Sequence, residues 1–257
     1  MSKRLTAREI VMVVVIIVLG GLNIYQYFNR PAAPVVLQTR PRLSPAEQGI
    51  VEQFHKIFYD SNVWQSTRWL GILTQQNPND VWIHQEIITE VKPDFIVEAG
   101  TLNGGSAALW ATILQQVNPE GRVITIDIAD NAGEARKLPI VQQKVDFLIG
   151  SSTDPAIVDQ VTKRVQGRKV LVILDSDHSK DQVLAEMKAY APLVPVGSYL
   201  IVQDTNINGH PVLESFGPGP WEAVEEFLST NDQFKPDPEC ERLLFTMHPY
   251  GYLKRIK

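Results

Sequence analysis

One cysteine, Cys240, stands among 257 residues, so no intramolecular disulfide forms and a disulfide-stapled extracellular scaffold is excluded. Cys240 has no CxxC partner and reads as a structural thiol. Histidine is scarce as well. His178, His210 and His248 lie on separate segments without the spacing of a two-His-one-carboxylate iron site. Positive charge is in deficit, with 24 Lys and Arg against 29 Asp and Glu and a net charge of -5. That balance argues against phosphate-backbone binding, and no nucleic acid is expected as a partner. Internal repeats, low-complexity tracts and long charge blocks are missing too.

Charge is also missing locally, from Ile10 to Phe28. This apolar run has about the ~20 residues that a bilayer-spanning helix needs. Lys3, Arg4 and Arg8 precede it, and Tyr25, Tyr27 and Phe28 close it as an interfacial belt. The expectation is a single-pass anchor within segment 1–28, with a cleaved signal peptide ending near Pro31–Pro34 as the alternative. Arg30, Arg40 and Arg42 leave its direction open, and the supply of a cytoplasmic cosubstrate favours a cytoplasmic catalytic domain. The Pro-rich stretch 29–44 reads as a tether.

Residues 45–92 read as a helical extension. Ser44, Pro45 and Glu47 form a start signal for one helix, and a second is expected from Asn79 or Asp80. The core, 93–257, then alternates short β-branched runs with helical stretches. The runs are 94–100, 122–128, 144–150, 169–175 and 198–204. That alternation predicts a doubly wound, mostly parallel α/β sheet. Two more runs, "RLLFTMHP" and "GYLKRI", are expected to add an antiparallel C-terminal hairpin and bring the sheet to seven strands.

In such sheets ligands bind beyond the carboxyl ends of the strands. "VEAGTLNGGSA" follows the first run there, and its Gly100, Gly104 and Gly105 permit a sharp turn. It lacks the lysine of a P-loop, and Leu102 stands where a dinucleotide fingerprint has its middle glycine. Glu98 repels a pyrophosphate and suits a cationic ligand, while Asp127 is placed to accept from a ribose diol. A nucleoside with a cationic amino-acid tail and no phosphate is S-adenosylmethionine (SAM). Asp175 ends the fourth run, next to where the reactive end of SAM would be bound, and Gln203–Asp204 end the fifth. Two strand-end acids with an amide oxygen make a candidate Mg²⁺ site, which would hold a substrate hydroxyl and lower its pKa. His178 is then the candidate general base; hydrogen bonding to Asp177 or capping of the next helix are its blander roles.

Those motifs, with "GSSTDP", "LDSDH", "FGPGPWEAVEEFL" and "PYGYLKR", resemble the cephalosporin hydroxylase family, which includes proteins described as rhamnosyl O-methyltransferases. The resemblance runs from about Trp64 to the C-terminus. It implies a class I SAM-dependent methyltransferase fold. It also implies a SAM loop over Gly100, Thr101, Asn103, Gly104, Gly105 and Ser106, a ribose acid at Asp127 and an adenine wall at Ser151 and Ser152. Asp175 and Asp204 match metal positions, and His178 matches in spacing a base that is lysine in catechol-type enzymes. The family commonly has glutamate where this chain has Gln203, which weakens the expected metal site. The expected activity is O-methyl transfer to a hydroxyl of a small molecule, a sugar or a lipid-linked glycan. A homo-oligomer is among the expected assemblies. The alternatives are a membrane-tethered binding protein without catalysis and a hydroxylase.

Overall fold

The computed structural model describes residues 43–257. The expected anchor and nearly all of the tether lie outside them. Among the described residues no helix is long and apolar enough to cross a membrane.

Ser44 opens the first helix, α1 (Pro45–Asp60), with a reciprocal capping box: Glu47 N–H donates to the serine hydroxyl and the Glu47 carboxylate accepts from Ser44 N–H. The extension is not helical throughout. Leu70 and Gly71, both at positive φ, turn a small antiparallel hairpin of β1 (Arg68–Trp69) and β2 (Ile72–Leu73). The second helix, α2 (Pro78–Val91), begins just before the expected point, because Asn77 caps it by accepting from Asn79 N–H.

The predicted alternation is met by β3 (Phe95–Ala99), β4 (Arg122–Asp127), β5 (Val145–Ile149), β6 (Val170–Leu174) and β7 (Tyr199–Val202). Between them run α3 (Gly105–Val117), α4 (Pro139–Lys144), α5 (Pro155–Val165) and α6 (Lys180–Tyr190). The sheet order is β5-β4-β3-β6-β7-β9-β8, with β8 (Phe234–Pro236) and β9 (Tyr252–Arg255) antiparallel to each other and β9 antiparallel to β7. The helix α7 (Pro220–Thr230) precedes β8. Apolar clusters cover both faces of the sheet, which is why the central strand β6 is apolar at every position and not only at alternate ones.

The C-terminal hairpin is built differently from the expectation. Arg242–Pro249 forms no strand, and β8 comes from further upstream. The physical reason is the buried carboxylate of Asp80 on α2. It accepts from Met247 N–H at 2.9 Å and from the Thr246 hydroxyl, while His248 N–H turns to Thr246 Oγ1. With Leu244 and Tyr250 also at positive φ, these donors are unavailable for a ladder.

Candidate functional site

A cavity of about 580 Å³ lies across the carboxyl ends of the parallel strands, within the usual range for a small-molecule site. β3 pairs with β4 on one side and β6 on the other, so the chain switches direction around β3 there.

The glycine turn follows β3. At Gly100, with φ +98°, an added Cβ would stand 1.8 Å from the Asp175 carbonyl oxygen. At Gly105 it would stand 2.3 Å from the Leu73 carbonyl oxygen. The close approach these glycines permit is therefore to the chain's own backbone. Gly104 is the left-handed residue before α3 and packs on Ala132 and Ala135; it does not line the cavity. Gly100, Thr101, Asn103, Gly105 and Ser106 do.

Asp127 holds this turn in shape. Its Oδ2 accepts from Thr101 N–H at 3.0 Å and Leu102 N–H at 2.8 Å, and its Oδ1 from Ala129 N–H at 3.1 Å. A carboxylate offers about four acceptor sites, so capacity for a diol remains on the cavity side. Glu98 departs from its expected position. It is buried beneath the cavity, accepting from Trp110 Nε1 at 2.8 Å and Thr125 Oγ1 at 2.6 Å, and does not face a ligand. Burial pushes its carboxyl up to about 7 against the pull of those donors. Thr125 in turn shares a 2.7 Å hydrogen bond with Thr101, so Glu98 acts on the turn from below.

Ser151 and Ser152 line the β5 end, as expected. Behind them the sequence reading missed Glu186. This fully buried carboxylate of α6 gathers the hydroxyls of Ser152 and Ser176 and the amide of Gln182, three residues of the wall. Burial pushes its carboxyl up, opposed by those three donors. Its place on a helical face among apolar neighbours gave it no motif.

At the β7 end Asp175, His178 and Asp204 converge. One ligand atom from each lies within 4.8 Å of the others, the one such group among the described residues. His178 Nε2 is 3.2 Å from Asp204 Oδ2. Burial, then Asp204, then Glu98 push the Asp175 carboxyl well above the usual carboxylate range. Crowding two acids here favours a bound cation or a shared proton. Asp177 accepts from Ser179 N–H at 2.7 Å, just ahead of α6. Gln203 is held beside the cluster by Gln76. Its Oε1 accepts from Gln76 Nε2 at 3.0 Å, and the same Nε2 donates to Asp175 Oδ2 at 3.0 Å. Of the expected metal set Asp175, Gln203 and Asp204, the two aspartates gather with His178, and Gln76 donates to the Gln203 amide oxygen. Trp64 and the strip Leu73–Gln75 close the wall from the extension, a contribution no motif announced.

A doubly wound sheet with a glycine turn that lacks the P-loop lysine, an acid at the next strand end and an acid–imidazole cluster at the far strand ends suits the class of the SAM-type group-transfer enzymes. The Rhamnosyl O-methyltransferase/CmcI family model matches residues 61–256, and the chain belongs to that family. It is 43% identical over 213 residues to the rhamnosyl O-methyltransferase of Mycobacterium tuberculosis H37Rv, covering 80% of this chain and 85% of that one. The Mycobacterium leprae rhamnosyl O-methyltransferase is 42% identical over 182 residues, or 69% and 77% of the two chains. Among solved structures, CmcI with Mg and SAM aligns over 92% of this chain and 96% of its own at TM-score 0.56 and 18% identity. The O-methyltransferase TomG from Streptomyces achromogenes, solved with SAM, aligns over 84% and 92% at TM-score 0.51 and 15% identity. These two establish the fold; the mycobacterial relatives carry the family. The protein is a SAM-dependent O-methyltransferase.

Proposed function

We propose that this enzyme methylates a sugar hydroxyl, with a rhamnosyl unit as the acceptor class, as the names of its mycobacterial relatives suggest. The observation that carries the reading is the cluster of Asp175, His178 and Asp204 at one end of a cavity whose other end is the Ser151–Ser152 wall. The Gly100–Ser106 turn, Asp127, Ser151 and Ser152 would hold SAM, leaving the β6–β7 end for the acceptor.

His178 takes the hydroxyl proton as the acceptor oxygen bonds to the methyl carbon and the carbon–sulfur bond breaks, releasing S-adenosylhomocysteine. Asp204, 3.2 Å from the ring, stabilises the imidazolium that results. Asp175 and Asp204 fit a divalent cation, because two crowded carboxylates at a cavity wall gain from one. When bound, such an ion supplies positive charge that lowers the pKa of a hydroxyl.

The membrane reading belongs to the same proposal. The uncharged run Ile10–Phe28 supports an anchor that holds the enzyme beside a lipid-linked acceptor. Transfer of labelled methyl from SAM to rhamnosyl glycolipids, against the same lipids with the rhamnose removed, tests the acceptor class. Equal labelling of both contradicts it. Release of the full chain from membranes by alkaline carbonate contradicts the anchor.

A further inference from the structure

Asp204 sits at φ +54°, a left-handed backbone that residues with a side chain rarely adopt. No glycine relieves it, so a contact must hold it. Its N–H donates to His248 Nδ1 at 3.0 Å. His248 is buried and arrives from the segment before β9, 44 residues along the chain. A neutral ring that accepts at Nδ1 carries its proton on Nε2, and Nε2 faces Asp80 Oδ2 at 3.7 Å. Asp80 is itself immobilised. Asn77 Nδ2 donates to it at 2.8 Å and Tyr252 Oη at 2.9 Å, besides Met247 N–H and the Thr246 hydroxyl. His248 thus ties the Asp204 amide to the core, with the immobilised Asp80 carboxylate near its ring.

We infer that His248 is a positioning residue: its Nδ1 fixes the left-handed backbone that aims the Asp204 carboxylate at His178 and Asp175. The inference rests on the site proposed above, and the packing of a buried histidine alone would not require it.

Three variants separate the roles. His248→Asn puts an amide oxygen near the Nδ1 position and keeps the acceptor. His248→Gln reaches toward Nε2 and loses it. His248→Leu removes both. The probe is Mn²⁺, titrated into the SAM-saturated full chain and read by the spectrum of the free ion. His248→Asn is expected to hold Mn²⁺ within about threefold of the parent, and the Gln and Leu variants to bind about 10–100-fold more weakly. SAM affinity should stay within about threefold in all three. Should the Leu variant fail to fold, the Asn and Gln pair decides. Equal Mn²⁺ affinity in that pair overturns the inference. If the parent binds no Mn²⁺, the cation part of the proposed function fails. The positioning claim is then read from crystal structures. It predicts a positive φ at residue 204 in the parent and His248→Asn but not in His248→Gln; a positive φ in all three overturns it.

Discussion

The backbone of Gly100 lies against the carbonyl of Asp175, so that a Cβ at Gly100 would meet that oxygen at 1.8 Å. The glycine turn after β3 and the end of β6 are therefore one packed unit. Gly100→Ala must push Asp175 away and also adopt φ +98°. We expect it to lose about 3 kcal/mol or more of stability by urea denaturation, and SAM binding with it. A well-folded Gly100→Ala with parental SAM affinity would show that the turn and Asp175 are not coupled.

His178→Ala should separate chemistry from cofactor binding. The ring is one-third exposed at the cavity and contacts Asp204, so its loss leaves the fold intact. Methyl transfer is expected to fall about 10²–10⁴-fold with SAM affinity nearly unchanged. Steady-state rates beside a SAM titration check this. Normal turnover removes His178 from the mechanism.

Gln203→Glu places a third carboxyl beside Asp175 and Asp204, against the same Gln76 amide. Without cation the added repulsion is expected to cost about 1–3 kcal/mol, a fall in Tm of roughly 2–10 °C. Millimolar Mg²⁺ should recover the loss and bind more tightly than in the parent. Melting curves with and without Mg²⁺ that match the parent would show that residue 203 does not sense the cation.

Stability should also depend on pH through Glu98. Its carboxyl is raised from 4.5 to about 7 by burial, so the folded state binds more protons than the unfolded one between those values. Stability is then full below the unfolded value and falls as pH rises through about 7, by on the order of 3 kcal/mol from this group. Asp175, also raised, adds to the same trend. Glu98→Gln should flatten the fall in urea midpoints between pH 4.5 and 8 while keeping a hydrogen-bonding side chain near Trp110. An unchanged slope contradicts the assignment.

Much of this was legible in the chain because it is written locally. The Ser44 capping box, the β-branched runs and the strand-end acids each need only neighbouring residues to be recognised. What escaped depends on long-range contacts. Gln76 reaches Gln203 and Asp175 from outside the sheet, Glu186 gathers three residues of the wall, and Asp80 draws off the donors of 246–248. Apolar "RLLFTMHP" fits a strand by pattern, yet its backbone groups are claimed by a carboxylate far away in sequence. Glu98 was placed on the right strand, but its facing side depends on Trp110 and Thr125.

The most direct test of the central claim is calorimetric titration of SAM into the full chain, beside the Asp127→Ala variant. The Asp127 carboxylate both shapes the turn and faces the cavity. Binding near micromolar, about -8 kcal/mol, is expected for the parent, and a loss of tenfold or more in the variant. No heat of binding at millimolar SAM, or equal affinity in both proteins, would contradict it.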